Sequence, residues 1–220
     1  MSWLTHFLTS SVGKKLLMSL TGLFLCLFLV IHLGGNFTLL GGADMFNEYS
    51  EGMANNPLIK VVAYVLYIAI LLHTIQGILL YFKNKAARPV KYAVTKSNGA
   101  NWSSRNMAIL GSIIFLFLGF HLSGFWYQFK FGEIPTTATG ANNYYEVVYT
   151  AFKQAWIVGV YILSQIVLAF HLWHGFASAF QTLGFNHKKY TPIIKTIGFA
   201  YSILVPLGFA GIAAFMFLFA

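Results

Sequence analysis

The chain has 220 residues, of which 58% are hydrophobic and only 9% are charged. A soluble domain of this length could not bury so much apolar surface, so the composition predicts an integral membrane protein. The net charge of +9 is large enough for a nucleic-acid partner, but the charges are distributed as in a membrane protein, and no nucleic-acid partner is expected.

Five apolar segments are each long enough to cross a bilayer as an α-helix, which takes about 20 residues. In chain order they cover approximately residues 16–40, 58–82, 107–129, 152–181 and 193–219. We therefore predict an all-α fold, a single transmembrane domain of five helices that occupies residues 1–220. The connecting loops are too short to form a further soluble core.

The first apolar segment is too long for the apolar part of a cleavable signal peptide, and no small-residue cleavage pattern follows it. We expect it to remain as the first transmembrane helix. The single cysteine, Cys26, lies within it. The chain alone can therefore form neither an internal disulfide bond nor a cysteine-ligated iron–sulfur or zinc site.

Charged residues alternate between the loops. Eleven of the fourteen lysine and arginine residues lie at Lys14–Lys15, in the segment 83–105 and in the segment 188–195, while all five acidic residues lie in the loops between these regions. Because positive charge collects in cytoplasmic loops, the N-terminus and the loops 83–105 and 182–195 are predicted to be cytoplasmic. The C-terminus then lies on the outer, periplasmic face.

Two further features are expected on the outer face. Residues 44–55 are predicted to form a short amphipathic helix, after which Pro57 opens the second span. Residues 134–143 are rich in Thr, Gly and Asn and are predicted to form a surface loop.

Four of the five apolar segments each contain a histidine near mid-span: His32, His73, His121 and His171. An ionisable side chain inside a bilayer is costly and usually marks a functional site. A lone histidine there often only forms a hydrogen bond between helices. Four histidines, one in each of four helices, instead favour a bound metal cofactor.

The depth of each histidine follows from its distance along the helix to the cytoplasmic end, at about 1.5 Å per residue. By this estimate His32 and His121 lie in the outer half of the bilayer, and His73 and His171 lie roughly 10 Å deeper, nearer the cytoplasm. The sequence therefore predicts two pairs, His32 with His121 and His73 with His171.

A glycine accompanies each histidine on the same helical face. It follows three residues later in the first and third segments, and four residues later in the second and fourth. The absence of a side chain there would let a flat macrocycle approach the imidazole. These glycines are Gly35, Gly77, Gly124 and Gly175.

Two neutral imidazoles can fill both axial positions of a haem iron, which leaves no site for oxygen and suits electron transfer. The chain has no C-x-x-C-H motif for covalent attachment, so the expected cofactors are two haems b. His174 lies one turn after His171 on nearly the same face. It is an alternative ligand, or a partner for a haem propionate or a quinone.

The chain resembles the single-subunit, five-helix dihaem cytochrome b that anchors succinate dehydrogenase or quinol:fumarate reductase in the membrane. The resemblance extends over essentially the whole chain. It rests on Ser19–Gly22 ahead of His32–Asn36, Phe46–Asn47 ahead of Pro57 and His73, Ser104–Asn106 ahead of His121–Leu122, and Phe170–Gly175.

The resemblance implies roles for individual residues. His32 and His121 would hold the outer haem, and His73 and His171 the inner haem. Phe170–Gly175 is similar to the F-H-x-x-x-G pattern of the family, which favours His171 over His174 as the ligand. Some relatives carry a glutamate for proton movement two residues before the fourth ligand. Here that position is an alanine, so proton transfer by that route is not expected.

The resemblance also implies partners. A flavoprotein with FAD and an iron–sulfur protein with three clusters would dock on the cytoplasmic side of a bacterial inner membrane. This chain, surrounded by lipid, would not itself act on succinate or fumarate. It would relay electrons between the clusters and a quinone of the respiratory chain, and menaquinone is usual for the dihaem form.

Two alternatives remain at this point. The chain could be a dihaem cytochrome b that anchors another respiratory dehydrogenase, such as formate dehydrogenase or hydrogenase. It could instead be a haem-free, proton-coupled transporter whose histidines relay protons. The transporter predicts a colourless protein, whereas both cytochromes predict the visible absorption of haem b.

Overall fold

The structure of the chain is a computed structural model that describes residues 3–87 and 102–220. The basic segment 83–105, predicted to be cytoplasmic, lies largely outside the described residues. Within them the chain is helical, and the paired extended residues are limited to an isolated bridge between Thr136 and Asn142. The predicted all-α fold class is confirmed.

Ten α-helices and two other helical turns make up most of the described residues. A 3₁₀ turn (Phe37–Gly41) follows α2, and a π-helical turn (Leu122–Trp126) joins α6 to α7. In chain order the helices are α1 (Trp3–Thr9), α2 (Ser11–Asn36), α3 (Ala43–Asn55), α4 (Pro57–Ala86), α5 (Trp102–Arg105), α6 (Met107–His121), α7 (Tyr127–Phe131), α8 (Tyr144–Phe152), α9 (Ala155–Thr182) and α10 (Tyr190–Leu218).

Large apolar side chains cover the outside of the long helices. Leu116, for example, is 73% exposed, and Leu204 is 66% exposed. Such an exterior is unfavourable in water and is expected of helices that face lipid. The chain is therefore a multi-pass membrane protein, and the predicted five-helix bundle is confirmed. The five candidate spans are Ser11–Gly41, Pro57–Ala86, Met107–Phe131, Ala155–Thr182 and Tyr190–Leu218.

The two ends of the bundle differ in charge. At one end, here called the basic end, Lys15 of α2 and Thr182 of α9 line the same cavity. The other end, here called the acidic end, is formed by α3 and α8, which carry Asp44, Glu51 and Glu146. The short helix predicted over residues 44–55 is present as α3, and Pro57 occupies the first turn of α4 as predicted.

The fourth span begins later than residue 152, where the sequence places it. Phe152 ends α8, and α9 begins at Ala155. Asn143 starts α8 as a separate helix, because its side chain accepts a hydrogen bond from the backbone N–H of Glu146 at 3.2 Å. Val148 of α8 is buried at the acidic end, so the apolar pattern of α8 runs directly into that of α9.

Asn47 joins α3 to α8. Its side-chain Nδ2 donates to Asn143 Oδ1 at 3.0 Å, and its Oδ1 accepts from the backbone N–H of Tyr145 at 2.8 Å. Beside this link, the Tyr144 hydroxyl donates to the Glu51 carboxylate at 3.1 Å. These side-chain bonds hold the two short helices together across the acidic end.

Replacement of the Asn47 link should destabilise the folded bundle. Asn47→Ala removes both bonds, and we expect a cost of about 1–3 kcal/mol because a part-buried backbone donor loses its partner. Thermal unfolding in detergent measures the loss as a lower Tm. Glu48→Ala, at an exposed neighbouring position, is the control. An equal Tm for the two variants would contradict this role of Asn47.

The predicted membrane orientation can be tested by labelling single cysteines. In a Cys26→Ala background, Thr139→Cys should react with a membrane-impermeant maleimide in spheroplasts, because residue 139 lies in the predicted outer loop. Asn186→Cys, in the predicted cytoplasmic loop, should react only after permeabilisation. Both residues are exposed. The opposite labelling pattern would place the basic end outside.

Candidate functional site: two facing pairs of histidines

The four mid-span histidines meet in twos inside the bundle. The ring centres of His32 on α2 and His121 on α6 lie 5.8 Å apart, with an angle of 81° between the ring planes. Those of His73 on α4 and His171 on α9 lie 6.3 Å apart, with an angle of 68°. These are the pairings expected from the sequence. Their role as iron ligands stays a prediction.

Both separations fit two imidazoles that bind one metal ion from opposite sides. A metal–nitrogen bond of about 2 Å, with about 1.1 Å from the nitrogen to the ring centre, places the two centres about 6 Å apart. Among the described residues, no hydrogen bond joins the two rings of either pair. Direct hydrogen bonding between the rings therefore does not explain the contacts.

Thr21 fixes the ring of His73. The Thr21 hydroxyl donates to the backbone carbonyl of Leu17 at 2.8 Å and lies 3.2 Å from Nδ1 of His73. When the single hydroxyl hydrogen is used within α2, the hydroxyl accepts from Nδ1 of His73. In that tautomer the lone pair of Nε2 is free to bind a metal.

Tyr161 contacts the other pair. Its hydroxyl lies 3.0 Å from Nδ1 of His121, and the residue is only 9% exposed. Aromatic rings surround it, with Phe117 and Phe152 each 5.0 Å from its ring centre in edge-to-face contact. Such packing fixes the position of the hydroxyl, and with it the orientation of the imidazole.

Nδ1 of each of the other two histidines, His32 and His171, has no hydroxyl partner among the described residues. Asn36 Nδ2 lies 3.5 Å from Nδ1 of His32, but it donates its hydrogen bond to the backbone carbonyl of His32 at 2.7 Å. The His32 ring also stacks on Phe28 at 5.2 Å. Nδ1 of His171 is buried, and no described residue bonds to it. In each pair, then, one imidazole is held by a hydroxyl and the other is not.

A π-helical turn begins immediately after His121. Residues Leu122–Trp126 form it, and a regular helix resumes at Tyr127. Single π turns inside helices commonly occur at functional sites because they rotate the side chains on either side relative to one another. Trp126 on this turn donates its indole N–H to the Tyr67 hydroxyl of α4 at 2.6 Å. The hydropathy pattern gives no indication of this turn.

Three of the four glycines predicted to leave space beside a histidine have it. A Cβ added at Gly124 would meet no atom within 4 Å, and at Gly77 or Gly175 it would meet only the end of a methionine side chain at 3.5 Å or more. Gly35 differs, because the ring of Tyr49 fills the position beside it. At this position the neighbouring helix α3 occupies the space that the sequence assigns to a macrocycle.

Two further glycines lie directly against the imidazoles, and the sequence pattern missed them. A Cβ at Gly22 would lie 3.2 Å from Cε1 of His73, and one at Gly111 would lie 3.7 Å from Cε1 of His171. Each glycine belongs to the helix beside the histidine. A search for glycine on the histidine's own helix therefore could not find them.

The two pairs lie at well-separated levels. On α2, Thr21 contacts one pair and His32, eleven residues later, belongs to the other. On α9, Tyr161 contacts one pair and His171, ten residues later, belongs to the other. At 1.5 Å per residue, both helices give a separation of about 15 Å. The sequence suggested roughly 10 Å because charged residues at helix ends are poor height markers.

The other histidines lie apart from these pairs. His174 is half-buried, and no ring contact or hydrogen bond in the described part of the chain joins it to another histidine. The ring that faces His73 is therefore that of His171. His6 and His187 are exposed, as expected for residues outside the spans, and His187 packs on Tyr190 at 5.4 Å.

Comparison with protein-family models, with curated proteins and with solved structures finds no match to this chain.

Proposed function

We propose that this chain is the membrane-anchor cytochrome b subunit of a succinate:quinone oxidoreductase, either a succinate dehydrogenase or a fumarate reductase. It relays electrons between an iron–sulfur partner and a membrane quinone, for which menaquinone is the expected species. One observation carries the proposal: two couples of imidazoles face each other at metal-binding separation, at two levels of a membrane bundle.

The four imidazoles are the residues that would hold two haems b. His32 and His121 would hold the haem nearer the acidic end, and His73 and His171 would hold the haem nearer the basic end. When bound, the haems supply one-electron transfer at two positions across the membrane. The chain itself positions the ligands and keeps water away from them.

The hydroxyl partners explain how the chain prepares a ligand. With Thr21 accepting the Nδ1 proton of His73, the Nε2 lone pair of a ring that faces His171 is free. The Tyr161 hydroxyl lies 3.0 Å from the corresponding nitrogen, Nδ1, of His121. A ligating histidine almost always donates its other N–H to such a partner, which fixes the ring and its tautomer.

The basic end is the surface that we assign to the partner proteins. Lys14 and Lys15 lie near the start of α2. Lys83 lies in the last turn of α4, and its Nζ donates to the Ser11 hydroxyl at 2.7 Å. Together with the lysines at 188–195, these side chains give the end its positive charge. Positive charge marks the cytoplasmic face, where the flavoprotein and the iron–sulfur protein are expected.

The sequence leaves two alternative functions open: a proton-coupled transporter and the anchor of another respiratory dehydrogenase. A proton-relaying transporter is less well supported, because all five acidic residues lie outside the five spans and the facing rings share no hydrogen bond. An anchor of formate dehydrogenase or hydrogenase would share the ligand geometry. A covalently flavinylated subunit in the purified complex would support our proposal, and a molybdenum or nickel subunit would support this alternative.

Removal of a single proposed ligand tests the haem assignment. Purified wild-type protein should show the reduced-minus-oxidised α-band of haem b, with two haems per chain by pyridine haemochrome. His73→Ala or His171→Ala should each remove one haem, because an axial ligand is lost. His174→Ala, one turn from the site, should keep both. Retention of both haems in the two ligand variants would refute this pair.

A larger side chain at Gly22, beside the proposed ligand His73, should also prevent haem binding. Gly22→Leu places a branched side chain against the His73 ring, where even a Cβ would approach to 3.2 Å. We expect loss of most of the haem at the basic-end pair, measured as haem per folded chain. Gly211→Leu, at an exposed position with nothing within 4 Å of an added Cβ, is the control. Equal haem content in both variants would contradict the placement.

A further inference from the structure

Tyr161 occupies a position that the sequence motifs do not assign. It lies on α9, the helix that carries His171, but its hydroxyl reaches His121 of the other pair at 3.0 Å. Its ring is enclosed by the edges of Phe117 and Phe152, and it is only 9% exposed. A buried phenol held this firmly keeps one hydrogen-bond geometry toward the imidazole.

We infer that Tyr161 is a positioning residue that sets the reduction potential of the haem at the acidic-end pair. The inference rests on the proposed function, because it needs iron bound through Nε2 of His121. In that state Nδ1 carries the proton and the phenol oxygen accepts it. A hydrogen bond of this kind makes the imidazole more basic, which favours ferric iron and lowers the potential.

The phenol hydrogen then needs an acceptor of its own, and α9 carries a candidate. Gln165 lies one turn from Tyr161 on the same face and is 6% exposed. Its Oε1 is buried, and no described residue donates to it. A buried carbonyl without a donor is costly. The Tyr161 hydroxyl is not bonded to this oxygen in the structure. A rotation of the Gln165 side chain that brings the two together would satisfy the oxygen and strengthen the phenol as an acceptor for His121.

The two sites are inequivalent for this reason. At the basic-end pair the corresponding partner of His73 is Thr21, whose hydrogen bonds to a carbonyl of its own helix. At one pair the partner is thus an aliphatic hydroxyl, and at the other it is a phenol. Each hydroxyl therefore acts on one haem only, and each can be removed without touching a ligand.

A redox titration of Tyr161→Phe, followed at the haem α-band, tests the inference. Both haems should remain, and one should become easier to reduce by roughly tenfold in its equilibrium constant, which is about 59 mV for one electron. The other haem should keep its wild-type potential. Thr21→Val should shift the second haem instead. Tyr201→Phe is the control, because the Tyr201 hydroxyl donates to the Cys26 carbonyl rather than to a histidine.

The outcomes separate the inference from the proposed function. Wild-type protein without haem would overturn both. Two haems with unchanged potentials in Tyr161→Phe would overturn only the role of Tyr161. If Tyr161→Phe does not assemble, Gln165→Leu provides the test, because loss of the acceptor weakens the phenol's bond to His121. An upward shift of one potential in that variant supports the inference, and unchanged potentials overturn it.

Discussion

An imidazole inside a bilayer must satisfy two ring nitrogens without water, and the arrangement of the bundle follows from this constraint. His73 and His121 each place Nδ1 against a hydroxyl of a neighbouring helix, and each ring faces the imidazole of another helix. Four helices must therefore keep their relative heights and rotations. The fifth, α10, carries no histidine and contributes packing, with Met216 fully buried and Tyr201 bonded to the carbonyl of Cys26.

Packing differs between the two levels. A cluster of buried side chains lies toward the acidic end, where Phe152 and Tyr161 pack with residues of α3, α8 and α10. The pair formed by His32 and His121 borders this cluster through Tyr161. The pair nearer the basic end relies instead on close helix approach, with Gly22 against the ring of His73. One site is thus held by aromatic packing and the other by missing side chains.

The sequence predicts much of this because membrane helices constrain it strongly. Length and hydropathy were enough to identify five helices, and helical rise was enough to pair the histidines. Tyr161 and Gly22 were not predicted as site residues, because their role depends on contacts between different helices. The separation of α8 from α9 was also missed, since no glycine or proline marks it and both helices are apolar. The π turn after His121 likewise has no periodic signal.

Electron paramagnetic resonance of the oxidised protein tests most directly whether the facing rings share iron. The ring planes cross at 81° and 68°. Planes at such large angles leave the iron orbitals that interact with the ligands nearly equal in energy, which gives highly anisotropic low-spin ferric signals. We expect two such signals. A high-spin signal, the rhombic signal of parallel rings, or no haem signal would contradict the account.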